Sequence, residues 1–141
     1  MTNPDPAQLA AVPLFAGLPA DQLDLLARRF EVETFDAGRS PARTDAHGYA
    51  FFVLADGQAH AELDGTVLER LEPGSVFGEM AFFAPDGKRS ATVVADSSIT
   101  VLSMFGTEFR QMQQELPEVA QRLEALFEER RQRVENSAGR G

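Results

Sequence analysis

Gly74-Ser75-Val76-Phe77-Gly78-Glu79-Met80-Ala81-Phe82-Phe83-Ala84-Pro85-Asp86-Gly87-Lys88-Arg89-Ser90-Ala91-Thr92 is the stretch on which the reading of this chain turns. Gly78 lets the backbone approach a ligand closely, because no Cβ stands in the way. Glu79 to Phe83 is long enough for one helical turn, whose free amide donors would point at an anion. Pro85-Asp86-Gly87 turns the chain back, and Arg89 and Ser90 follow as it enters a strand. Strand alternation would set Arg89 and Ala91 on the face opposite Ser90 unless that strand begins irregularly. One arginine, one hydroxyl and several free amides make a cradle for an anion. Glu79 runs against this, since a carboxylate disfavours a neighbouring phosphate. It fits if the ligand also offers a hydroxyl donor, such as a ribose 2′-OH, beside its phosphate. The simpler alternatives are an ion pair between Glu79 and Arg89 across a turn, and an ordinary strand serine at Ser90.

Outward from this stretch the texture is that of short strands. From Glu31 to Phe105 apolar residues alternate and Gly, Pro, Asn or Asp recur at short intervals. Strands are expected over Tyr49–Ala55, Ala59–Leu63, Val67–Leu71, Ser90–Ala95 and Ile99–Phe105, with Asp56-Gly57 and Asp64-Gly65 as hairpin turns. Many short antiparallel strands imply a sandwich or barrel. On either side the period becomes helical. Ala7 to Leu14 and a run from Pro19 through Phe30 precede the strands. Phe109, Met112 and Leu116 mark one helix after them, and Val119, Leu123, Leu126 and Phe127 a second that begins near Pro117. Ser137 to Gly141 reads as a frayed tail.

The 141 residues suit one domain with one core, and 43% hydrophobic, 25% charged residues describe an ordinary globular chain. Thirteen basic against 22 acidic side chains give a net charge of −9, which repels phosphate backbones and anionic lipid, so neither nucleic acid nor membrane is an expected partner. Residues 117–141 balance five acidic against five basic side chains, so the whole −9 sits on residues 1–116. No cysteine is present, which excludes disulfides and thiolate metal sites and fits a cytoplasmic protein. Met1-Thr2-Asn3-Pro4-Asp5 is not the start of an export signal, and no run approaches a membrane span.

With these residues in view, the 77–92 segment resembles the phosphate-binding cassette of cyclic nucleotide-binding domains. That pattern is Phe-Gly-Glu, an apolar residue, Ala, a variable loop, then Arg-Ser/Thr-Ala-Thr, and each of its members stands between Phe77 and Thr92. The resemblance extends to Val12–Leu18 as the family's lead-in turn, to Asp36-Ala37-Gly38 as the turn into its barrel, to Ala50–Gly57 as a strand, and to Phe109 with Leu116-Pro117-Glu118 as its helix pair. Arg39-Ser40-Pro41-Ala42-Arg43-Thr44-Asp45 departs from it. There the alternating apolar strand is replaced by polar residues, and Pro41 removes a ladder donor, so a distorted or exposed edge is expected.

The resemblance implies a mainly β fold with flanking helices: an eight-stranded antiparallel β-roll or jelly roll, two helices after it and helices before it. The expected layout is one domain over 1–141, with N-terminal helices in 1–30, the roll in 31–105, lid helices in 106–134 and a tail in 135–141. It implies that Glu79 accepts from the ribose 2′-OH and that Arg89 pairs with the cyclic phosphate. Gly78, Met80 and Ala81 would donate backbone amides, Ser90 would bond the phosphate, and Ala91 would line the wall. Val76 and Phe77 would offer apolar surface to sugar and base, and the helix after Pro117 would close over the purine through Phe127 or Arg130. Phe51, Phe52, Tyr49, Phe82 and Phe83 are assigned to the core.

The function expected is therefore a sensor that binds cyclic AMP reversibly, with cyclic GMP as the other candidate and an effector protein or a second copy as its partner. A ligand of about 22 heavy atoms at roughly 0.3 kcal/mol each gives a dissociation constant on the order of 10 μM. Two rivals are a ligand-free interaction module on the same fold and the sensor part of a larger transcription regulator or channel. No enzyme is expected. A metal-dependent cupin would want His-x-His with further ligands, and His60-Ala61-Glu62 supplies only its first position. His47 and His60 are read as exposed, and no cofactor or metal is expected.

Overall fold

Two glycine-containing turns show how the strands are arranged. In the computed structural model, which describes residues 3–41, 50–78 and 91–139, Asp64 and Gly65 both take positive φ, 52° and 81°. That backbone twist closes a two-residue hairpin between β3 (Ala59–Leu63) and β4 (Thr66–Leu71), with Leu63 opposite Thr66. Asp56-Gly57 was expected to do the same and does not. Gly57 has φ 89°, but the strand before it, β2 (Ala50–Asp56), and β3 lie in different sheets, so this turn carries the chain from one sheet to the other. A Cβ on Gly57 would collide with the Ser98 carbonyl oxygen and come within 2.8 Å of Ile99 Cγ2.

The remaining strands among the described residues are β1 (Glu31–Phe35), β5 (Val76–Phe77), β6 (Thr92–Ala95) and β7 (Ile99–Phe105). All seven pair antiparallel, in one sheet of order β1-β7-β2-β5 and another of order β4-β3-β6. Alternation along β2 splits its side chains cleanly. Phe51 and Val53 face the helices, in a core shared with Leu102, Met104, Val76 and Phe127. Ala50, Phe52 and Leu54 face the second sheet, in a core shared with Phe77, Leu71, Val93, Ala95, Ile99 and Val101. The first sheet is therefore packed on both faces. Beyond β1, Gly38 N–H donates to Ala95 O at 2.8 Å, Ala95 N–H to Arg39 O at 2.9 Å, and the Ser40 hydroxyl to Val93 O at 2.5 Å. The polar Arg39–Pro41 stretch thus lies along β6 without being counted as a strand. Residues 42–45 of the departing segment lie outside the described residues.

The helices follow local chemistry. Asp5 caps α1 (Pro6–Ala10) by accepting from Ala7 N–H at 2.9 Å, while the Gln8 side chain accepts from Asp5 N–H at 2.8 Å. The helix expected over Ala7–Leu14 stops at Ala10, because Val12 before Pro13 is held extended, at ψ 124°; the chain resumes as a 3₁₀ turn over Pro13–Phe15. α2 (Ala20–Ala27) follows. After β7 come α3 (Gly106–Glu115) and α4 (Pro117–Gly139), the latter continuing through most of the stretch expected to fray. The helix formers Glu128 to Arg133 carry it onward. Arg29, just past α2, clasps α3 through Glu115 at 2.6 Å, Glu108 at 2.7 Å and Gln111 at 2.5 Å. Its guanidinium pKa is raised further by those bonds, Glu115 first and Glu108 second. Phe51 centres the helix-side core, its ring edge-on to Phe30, Phe109 and Phe127 at 5.9, 6.1 and 5.3 Å.

Candidate functional site

The 78–91 segment, expected to cradle an anion, is held at both ends by strands of different sheets. β5 leads into it from the first sheet, where Phe52 pairs with Phe77 and Val53 with Val76. β6 leads out of it into the second, where Thr92 pairs with Glu62 on β3. Gly78 sits at the start with φ 83°, a left-handed conformation that favours glycine and explains the residue's place there. Ala91, at the other end, is half-buried. Glu79, Met80, Ala81, Arg89 and Ser90 lie outside the described residues, as do His47, Tyr49, Phe82 and Phe83.

The approach to Gly78 is tightly built. Gly74 N–H donates to Leu54 O and Leu54 N–H to Ser75 O, both at 2.8 Å, while Ser75 Oγ accepts from Glu72 N–H at 3.0 Å. Gly74 has φ 97°, and a Cβ there would stand 3.1 Å from Pro13 Cδ, so the turn before the cradle rests against the 3₁₀ turn. Arg122 of α4 reaches the same 3₁₀ turn region, its guanidinium 3.5 Å from Leu14 O and 3.4 Å from Ala16 O.

Val76 and Phe77 face opposite ways, as consecutive strand residues must. Phe77, 2% exposed, stacks on Phe52 with ring centroids 5.0 Å apart and points between the sheets. Val76 points into the helix-side core. Phe127 is also in the helix-side core, 1% exposed, with its ring 5.8 Å from Phe109. Arg130 belongs to α4, and its side chain is not among those described. Of the side chains assigned to the core, Phe51 and Phe52 are buried there.

His60 corrects the sequence reading. Its side chain is not exposed but 16% accessible, with Nε2 2.8 Å from Glu62 Oε2 and Nδ1 2.7 Å from Asp96 Oδ1. These bonds, that to Glu62 foremost, raise its pKa above the ordinary value. The sequence showed Glu62 two residues away; nothing in it pointed to Asp96, which is 36 residues distant. Among the described residues no cluster of His, Asp and Glu could hold a metal ion, and no helix is long and apolar enough to cross a membrane.

The sequence pattern of the cyclic nucleotide-binding domain matches residues 32–115. The chain belongs to that family. Among relatives of this cyclic nucleotide-binding domain, the cyclic AMP receptor protein of Thermus thermophilus is 31% identical over 123 residues, covering 84% of this chain and 56% of the relative. Glutaminase 1 of Bradyrhizobium diazoefficiens is 33% identical over 117 residues, covering 82% of this chain and 19% of that enzyme. The solved catabolite activator protein of Thermus thermophilus superposes with a TM-score of 0.76 at 30% identity, over 90% of this chain and 62% of the other. The domain thus spans between about a fifth and just over half of the length of these curated relatives.

Proposed function

We propose that this cyclic nucleotide-binding domain is a reversible sensor of cyclic AMP, with cyclic GMP the weaker ligand and with neither catalysis nor DNA binding of its own. The observation that carries this is the 78–91 segment. It has Glu79 and Arg89 in the family's order, begins at a left-handed Gly78, and is anchored in one sheet at β5 and in the other at β6. In this reading Arg89 pairs with the cyclic phosphate and Glu79 accepts from the ribose 2′-OH. Gly78, Met80 and Ala81 give backbone amides, Ser90 bonds the phosphate and Ala91 lies on the wall. An acidic chain draws in an anionic ligand only through such a local exception. The name of the Thermus relative, a cyclic AMP receptor, supports the choice of adenine.

Signalling is a population shift. Ligand in the segment favours one arrangement of α3 and α4, and the output passes to an effector protein or a second copy in the cytoplasm. The contact of Gly74 with Pro13, and of Arg122 with the carbonyls of Leu14 and Ala16, supports a mechanical link between the segment and α4. Parallel titration of cyclic AMP and cyclic GMP into the chain and into an Arg89→Ala variant tests the reading. Cyclic AMP should bind the more tightly, and the variant should lose more than about tenfold in affinity while remaining folded.

A further inference from the structure

The outer face of the second sheet carries a histidine bonded to a carboxylate at each ring nitrogen. Residues 60 and 62 share that face of β3, because side chains two apart on a strand point the same way. Asp96 is the first residue after β6. It is fixed independently of the histidine, its N–H donating to Gln58 O at 2.8 Å while Gln58 N–H donates to Ser97 Oγ at 3.1 Å. Bonds of 2.8 Å to Glu62 and 2.7 Å to Asp96 therefore bridge β3 to the end of β6.

Carboxylates only accept, so both bonds need a proton on both nitrogens, and a neutral imidazole has only one N–H. We propose that His60 is a proton-operated staple of the second sheet: the imidazolium ties β3 to the end of β6, and loss of its proton opens one of the two bonds. Once neutral, one ring nitrogen presents a lone pair to a carboxylate oxygen, and that contact becomes repulsive. The groups facing His60 among the described residues agree with a cationic state. Opposite it on β4 stands Arg70, which opposes protonation. Glu62 and Asp96 favour it at bonding distance, Glu69 on β4 pairs with Ala61 and so belongs to the other face, and the partners of His60 and Glu62 on β6 are the uncharged Val94 and Thr92.

The sign follows from the raised pKa of His60. The staple's contribution is fully present below the ordinary histidine value of about 6.5 and is lost as pH climbs from there through the raised folded value. Because β6 begins at Thr92, directly after the cradle segment, the proton also bears on how that segment is anchored.

The test is a pH titration of the histidine ring signals by NMR on the whole chain, with His60→Gln used to tell His60 from His47, together with urea unfolding from about pH 6 to about pH 9. The proposal expects His60 to titrate above 6.5 and the unfolding midpoint to fall with rising pH, a fall that His60→Gln abolishes. Asp96→Asn, which keeps the histidine, should bring its titration back toward 6.5. A His60 midpoint at or below 6.5 overturns the staple, as does an unchanged pH dependence in His60→Gln. Should His60→Gln not fold, the titration in the unaltered chain and in Asp96→Asn decides.

Discussion

The two sheets share one core between them, yet their other faces are covered differently. In the first, β2 is buried from Ala50 to Leu54 and β7 from Val101 to Met104, with helices against one face and the second sheet against the other. Even the polar Ser103 is 2% exposed, its hydroxyl turned to Glu31 O. In the second sheet, among the described residues, the buried side chains lie on one face. β4 is exposed from Thr66 to Arg70, and Val67 and Leu68 are 47% and 57% accessible. The first sheet is fixed by packing, which leaves its residues little chemical freedom. The second has an outer face that carries charge, and there the His60 bridge adds to the backbone ladder between β3 and β6 and to the inner-face packing of Leu71, Val93 and Ala95. The cradle segment runs from the first to the second, so its two anchors differ in what holds them.

The contrast can be broken by substitution. The largest effect is expected at Phe51, which is fully buried against three other rings. Phe51→Ala should cost about 3–5 kcal/mol in urea unfolding; a loss under about 1 kcal/mol would mean that the helix-side core is not what holds the first sheet. Gly57→Ala comes next. It tests the crossing between the sheets, where a Cβ meets Ser98 and Ile99 and φ is 89°. A cost of about 1–3 kcal/mol is expected, and a neutral result would show that the crossing can relax. The smallest effect belongs to the open sheet: Leu68→Thr should change stability by no more than about 0.5 kcal/mol. A loss as large as that at Phe51 would show that β4 is covered in solution, and the contrast would fail.

Much of this was legible in the sequence, for physical reasons that vary by residue. The apolar pattern located β2, β3, β4, β6 and β7 to within a few residues, although β2 and β7 are buried on both faces and are apolar runs rather than the alternation of a half-buried strand. Asp64-Gly65 announced its hairpin because few other residue pairs accept positive φ twice in succession. Asp56-Gly57 misled for the same reason: turn chemistry reports the backbone angle, not which strand the next one pairs with, and that is settled by long-range burial. The Arg29 clasp and the His60 bridge were not legible. The partners of Arg29 and the Asp96 end of the His60 bridge lie tens of residues away, and although Glu62 is only two residues from His60, no local pattern joins the set. At the site, the order of Phe77-Gly78-Glu79 and Arg89-Ser90-Ala91-Thr92 was readable as chemistry. The opposite facing of Val76 and Phe77 was not read, because no strand was expected at 76–77, and the packing of Phe127 on Phe51 joins residues far apart in the chain.

On the proposed function, the 78–91 segment binds a cyclic nucleotide through Arg89 and Glu79. Isothermal titration calorimetry of cyclic AMP into the chain tests it most directly. Saturable one-site binding with a dissociation constant on the order of 10 μM is predicted. No heat and no saturation with either cyclic nucleotide up to about millimolar concentration, in a chain shown to be folded, would contradict it.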